Sequence, residues 1–188
     1  MAQMAETEKT TTGWLLLIYT VPAEPSRTRA FIWRELKKVG AISIRDGVWA
    51  LPESKATSVA FRRIAAKVQE FDGEATLAEG ASIDAERVEA IRSASQTART
   101  AEYEELAREA EHFLGHVQRE SEHRNFNFAE MEELEQDLGK LRNWRDQVKA
   151  RDYFGVEGRG RAADLLARCE SALTVFLDEA FSQEDGTQ

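Results

Sequence analysis

The sequence predicts an α+β fold in which a small split sheet unit, read as β-α-β-β-α-β, is followed by an acidic helical region. Three observations predict it. The run Trp14 to Val21 (WLLLIYTV) is apolar at nearly every position. Asp46-Gly47 stands between two β-like runs, a strong short-range hairpin signal. From Ala85 onward the chain turns to Ala, Glu, Arg and Leu and contains no proline.

Trp14 to Val21 reads as a strand covered on both faces, because neither alternate set of side chains is polar. Pro22 and Pro25 forbid continued pairing, and Ser26 is positioned to cap the next helix. Between Arg27 and Val39, the apolar residues Ile32, Trp33, Leu36 and Val39 recur at helical spacing, and Gly40 closes the helix. At about 100° per residue, Arg27, Phe31, Arg34 and Lys38 share the opposite stripe, with Lys37 nearby. Arg29 precedes Trp33 by one turn, so its guanidinium is expected to stack on the indole or to pair with a carboxylate. Ala41 to Arg45 and Val48 to Leu51 form the hairpin strands. Pro52 ends the second of them, and Ser54 caps a second helix whose apolar face is Ala60, Ile64, Val68 and Phe71. Lys55 and Arg62 point away from that face. Asp72-Gly73 then turns the chain into Glu74 to Ala78, a weak fourth strand. This order is that of a ferredoxin-like unit over 14–84. In such a unit both helices cover one sheet face, so Trp14, Leu16 and Ile18 on the other need cover from the helical half or a partner subunit.

In the helical region, Val88 and Ile91 begin a pattern that weakens across Ser93 to Thr97 and resumes at Tyr103, predicting a helix with a break or a short helix before a long one. His123 to Asn127 reads as a connector. Asn127 and Glu130 have capping-box spacing ahead of Met131, Leu134, Leu138, Leu141 and Val148. Tyr153 to Gly160 forms the next turn, and Ala162, Leu165, Cys169, Ala172 and Phe176 make the last stripe. Three antiparallel helices over 85–182 are the result. Residues 1–13 and 183–188 are polar and are expected to be disordered.

Net charge is −9 over 188 residues, unevenly spread. Residues 1–84 hold 11 Lys+Arg against 11 Asp+Glu, whereas 85–188 hold 14 against 23. Within 26–67 the count is 10 basic against 3 acidic, so a basic module is joined to an acidic one. Overall acidity argues against nonspecific coating of nucleic acid, while the local excess suits an anion or phosphate contact. One cysteine allows no internal disulfide and no cysteine metal cage, which fits a reducing cytoplasm. The N-terminus lacks the basic region of a secretory signal, and Trp14 to Ile18 is too short to span a bilayer, so no membrane partner is expected.

One stretch carries a family resemblance. Arg29-x-x-x-Trp33-Arg34-x-Leu36-Lys37-x-x-Gly40-Ala41, followed by Arg45-Asp46-Gly47-Val48 and Leu51-Pro52, resembles the N-terminal domain of the ChrB chromate-resistance family. Asp152-Tyr153-Phe154-Gly155 resembles a short motif of the same domain. The resemblance implies a regulatory role in chromate resistance, with operator DNA or a partner regulator as the binding target. It also implies a short form, because longer members carry a further C-terminal domain for which this chain leaves no room. The alternative is an interaction module that forms a homodimer and docks a separately encoded C-terminal ChrB domain.

Arg27, Arg34, Lys37, Lys38, Lys55, Arg62 and Arg63 are the candidate DNA or anion contacts, each able to displace about one counterion from a phosphate backbone. The competing reading is a solvated helix face, with some cations paired to the acidic half. Arg159 and Arg161, flanking Gly160 near a helix start, are a candidate oxyanion clamp through side chains and free amides. His112 and His116 have the i, i+4 spacing of a chelating pair, with Glu109 or Glu120 as candidate partners and His123 within about 40° of them. A wet surface face accounts for all three histidines, and no metal or cofactor is expected. Cys169 lies on an apolar stripe and reads as core. No enzyme activity is expected. Ile18-Tyr19-Thr20-Val21 offers no carboxylate at the strand end where a nuclease of this fold would hold its metal, and no glycine-rich phosphate loop or catalytic triad is present.

Overall fold

The computed structural model describes residues 13–185 and divides into two units, residues 1–95 and 96–188. The division falls inside a helix rather than at the change of composition near residue 84.

The first unit has the expected element order. Strand β1 (Trp14–Thr20) leads to helix α1 (Ser26–Lys38), strands β2 (Ile42–Arg45) and β3 (Val48–Pro52), helix α2 (Lys55–Glu70) and strand β4 (Glu74–Ala81). The sheet runs β2-β3-β1-β4, and every neighbouring pair is antiparallel, which is ferredoxin-like topology. Leu15 pairs with Leu51 and Leu17 with Trp49, so these four share one sheet face, and all are buried. Ile32 and Leu36 of α1 and Phe61, Ile64 and Val68 of α2 complete that layer. Trp14, Leu16 and Ile18 alternate onto the other face, where burial fades from Trp14 to Ile18, the latter 43% exposed.

Local chemistry explains the turns. Gly47 adopts φ +70°, and its carbonyl accepts from the Tyr19 amide at 2.8 Å, tying the hairpin tip to the end of β1. Ser54 and Thr57 form a reciprocal capping box at the start of α2, the Ser54 side chain accepting from the Thr57 amide at 3.2 Å. Ser26, expected as a cap, is instead the first residue of α1. Pro25 holds the cap position with no side-chain bond, and its carbonyl accepts from the Thr28 amide. The α2 core face keeps Ile64 and Val68 from the expected one but is led by Thr57 and Phe61, while Ala60 and Phe71 are only partly buried. An aromatic ring gains more from burial than a methyl group does, which favours Phe61 over Ala60 at that position.

The second unit is built on helix α3 (Ala85–His123) from Gln96 onward, with α4 (Phe128–Ala150) and α5 (Gly158–Asp185). The break expected near Ser93 to Thr97 is absent. Weak amphipathicity there is a property of side chains, and none of those residues forbids helical backbone. Ser95 is in fact buried, as is Arg99. The second unit's core comprises Tyr103, Leu106, Phe113, Leu134, Leu138, Leu166 and Phe176, among others. Arg151 pairs with Glu102 at 3.1 Å, while His116 faces Glu130 at 3.0 Å, so α3 and α4 run antiparallel. Asn127 caps α4 as expected, accepting from the Glu130 amide at 3.0 Å. Helix α5 continues to Asp185, so Gln183 to Asp185 belong to it, while residues 1–12 and 186–188 of the expected disordered ends lie outside the described residues. Among the described residues, no helix is long and apolar enough to cross a membrane.

Candidate functional site

Helix α1 has two differently employed flanks. Its inward stripe is Thr28, Ile32 and Leu36, all buried. At about 100° per residue, Phe31 and Glu35 fall on one flank and Arg29, Trp33 and Lys37 on the other. The first flank meets α2 and the C-cap residue of α2, Phe71. Phe31 packs edge-on to Phe71 with centroids 5.6 Å apart, and Glu35 lies 3.8 Å from Arg63. Phe31 is therefore engaged by protein and does not stand free among the cations. The second flank borders an open cleft of about 720 Å³ whose lining includes Tyr19, Arg29, Trp33, Asp46, Gly47 and Trp49. Trp33, expected in the core, is 51% exposed because it lies a quarter turn from the buried stripe.

The expected stacking of Arg29 on Trp33 is not what occurs. Lys37 takes that place, its Nζ lying 5.8 Å from the Trp33 ring centroid and 5.6 Å from that of Trp49. Arg29 is exposed and makes no hydrogen bond or ion pair among the described residues. An open indole face beside two cations suits a planar or phosphate-bearing ligand. The four motif residues Arg29, Trp33, Asp46 and Gly47, separated in sequence, converge on this one cleft.

The seven candidate cations divide into three groups. Arg27, Arg34 and Lys55 are exposed and make no hydrogen bond or ion pair among the described residues. Lys37 sits over the two indoles. Lys38, Arg62 and Arg63 are engaged by carboxylates. Lys38 lies 2.6 Å from Glu35, Arg62 2.8 Å from Glu79, and Arg63 reaches Glu35 only at 3.8 Å. The Arg62 guanidinium holds the Glu79 carboxyl below its usual range, with help from Ser58. Arg27 and Arg34 are seven residues apart, on one stripe of α1.

The helical unit treats its candidates differently. The Arg159 and Gly160 amides are taken by the carbonyls of Val156 and Glu157, and Arg161 is held by Glu111 at 2.8 Å. An oxyanion at Arg161 would have to displace a carboxylate, and the Arg159 and Gly160 amides are already engaged. Asp152-Tyr153-Phe154-Gly155 closes a polar network instead. Asp152 accepts from the Gly155 amide at 3.0 Å and faces the Tyr103 hydroxyl, while Arg99 and Arg151 share Glu102. Burial, reinforced by Asp152, pushes the Tyr103 hydroxyl up to about 12, so it stays a neutral donor at any physiological pH.

Among the histidines, His112 and His123 are exposed, and His112 lies 3.8 Å from Glu109. His116 is half-buried between Glu120 and Glu130. Glu130 is the partner that sequence spacing missed. It is remote in the chain and carried capping-box spacing, which pointed to its own helix end rather than across to α3.

Cys169 is fully buried, its thiol directed at the Ala110 carbonyl 3.3 Å away, and burial pushes it up to about 11. Native protein at pH 8 is therefore expected to be inert to a thiol-exchange reagent and to release one equivalent only in denaturant. Full release within minutes from native protein would contradict this placement.

Fold and site together define a two-unit α+β protein, a ferredoxin-like module bearing a basic, aromatic-edged helix and an acidic helical bundle. The family model described as Protein ChrB, N-terminal, matches residues 29–187, and the chain belongs to that family. The match begins at Arg29, the first residue of the cleft motif. Protein ChrB of Cupriavidus metallidurans is 34% identical over 62 residues, which is 33% of this chain and 19% of that protein. The chain thus spans less than a fifth of the length of that relative.

Proposed function

We propose that the protein is a non-catalytic regulatory component of chromate resistance that acts in the cytoplasm and contacts the phosphate backbone of operator DNA through α1 and the start of α2. One observation carries this reading: Arg27, Arg34 and Lys55 are exposed and, among the described residues, have no carboxylate against them, whereas Lys38, Arg62 and Arg63 do. An unengaged guanidinium or ammonium retains its full charge for phosphate and loses no internal partner on binding. The Trp33 face and Arg29 lie on the adjoining flank of α1, where a base or sugar could rest against the cleft.

Fluorescence anisotropy on a labelled duplex from the gene's own upstream region, titrated at several salt concentrations, tests the proposal. Saturable binding that weakens steeply with salt is expected. Absence of binding at about 50 mM salt, with and without chromate, removes the DNA contact. Incubation with nucleic acid and Mg²⁺ or Mn²⁺ is expected to give no cleavage.

A second reading rests on the sheet face carrying Leu16 and Ile18. With Ile18 43% exposed, that face would take a second copy of the chain, leaving the acidic helices to dock a separate ChrB C-terminal domain. Light scattering distinguishes the two, since a monomer across the working concentration range leaves only the first.

A further inference from the structure

We infer that His116, Glu120 and Glu130 form a binding site for a single divalent transition cation of the Zn²⁺ class, bridging the end of α3 to the beginning of α4. One ligand atom from each of the three residues lies within 4.8 Å of the others. His116 Nε2 is 3.0 Å from a Glu130 carboxylate oxygen and 3.7 Å from Glu120 Oε1. Bonds of about 2.1 Å in a tetrahedral zinc site place ligand atoms about 3.4 Å apart. The two observed separations straddle that value, so a cation could enter with small side-chain adjustments.

The ligands are held, which distinguishes this cluster from exposed carboxylates that happen to be neighbours. Asn125 Nδ2 donates to Glu120 Oε2 at 2.6 Å, leaving Oε1 turned toward His116. Asn127 Nδ2 donates in turn to Asn125 Oδ1 at 2.6 Å, and the Asn127 side-chain oxygen accepts the Glu130 amide. The connector thus forms a chain of amides that orients one carboxylate and fixes the backbone of the other, as outer partners do around metal ligands. A second observation concerns Glu130 itself. Its Oε1 is buried and makes no aligned hydrogen bond, its contact being the His116 imidazole at 3.0 Å. A cation bound between that oxygen and Nε2 would be coordinated by both.

The donor set selects the class of cation. One imidazole with two carboxylates suits Zn²⁺ and its first-row neighbours, whereas Ca²⁺ and Mg²⁺ favour oxygen-only shells. The partly exposed His116 ring leaves access for water as a fourth ligand. The site lies wholly within the helical unit and is independent of the DNA reading.

The test uses the full chain, stripped with a chelator and titrated with Zn²⁺ by calorimetry and by competition against a chromogenic chelator. One Zn²⁺ per chain is expected, with thermal stabilisation that rises with metal concentration. Glu130→Gln and Glu120→Gln, both near-isosteric, are each expected to weaken binding by at least about 10-fold. His112→Ala and His123→Ala should leave it within about twofold. Circular dichroism checks that the Gln variants fold, and if Glu130→Gln does not, Glu120→Gln decides. No stoichiometric Zn²⁺ on the wild type overturns the assignment, as does equal affinity in folded Gln variants. Loss of binding in the His112 variant with retention in both Gln variants would place the metal elsewhere and also overturn it.

Discussion

Replacing Arg27, Arg34 and Lys55 together by glutamine is expected to make the salt dependence of DNA binding shallower by about 2.7 in the log–log slope. That figure is the loss of three phosphate contacts at about 0.9 each. Between about 50 and 200 mM salt, three such contacts correspond to roughly 40-fold in affinity, so the wild type and the variant should converge as salt rises. The informative control is the pair Lys38→Gln and Arg62→Gln. Those cations already face Glu35 and Glu79, at 2.6 and 2.8 Å. Their removal should change the slope by less than half as much per residue. Exposed ion pairs contribute little to stability, so neither set should disturb folding. Equal slope changes per residue in the two sets would mean that engagement by carboxylates does not decide which cations meet DNA. The phosphate contact would then have to lie elsewhere on the protein.

Gly47→Ala is expected to destabilise the sheet unit by about 3 kcal/mol or more, from the left-handed backbone penalty of about 1–2 kcal/mol together with a steric clash. A Cβ at this position would stand 2.5 Å from the Tyr19 carbonyl oxygen. The hairpin cannot simply move away, because the Gly47 carbonyl accepts the Tyr19 amide at 2.8 Å. Gly155→Ala isolates the backbone contribution: its φ is +71°, but no atom lies within 4 Å of the added Cβ, so about 1 kcal/mol is expected. Urea unfolding followed by tryptophan fluorescence can separate the units, since Trp14, Trp33 and Trp49 report on the first and Trp144 on the second. Similar losses at the two glycines would show that the clash is relieved by local shifts. The cleft would then be less rigid than its geometry implies.

How much of this was legible from the residues depends on distance along the chain. The Ser54 cap, the turn at Asp46-Gly47 and the Asn127 cap are settled by groups within three or four residues of one another, and the structure contains all of them. The rotation of α1 was harder to read. Helical spacing alone admitted Trp33 to the inner stripe, but the buried positions are Thr28, Ile32 and Leu36, and Trp33 faces the cleft. A threonine is inconspicuous in a hydropathy pattern, and the pattern cannot tell which side of a helix a sheet will occupy. Phe31 was misplaced for a related reason, since Phe71, its edge-on neighbour, is remote in sequence.

The residues alone determined the order of elements, the ferredoxin-like outline and the presence of a helical region after it. Those properties come from local backbone chemistry and from hydrophobic periodicity. Tertiary structure alone decided which of seven similar cations have carboxylates against them, that Lys37 rather than Arg29 lies over the indoles, and that Glu130 meets His116. The physical reason is that charge pairing and ligand geometry depend on separations of a few ångströms between residues on different elements. Packing sets those separations, and no spacing along one chain records them.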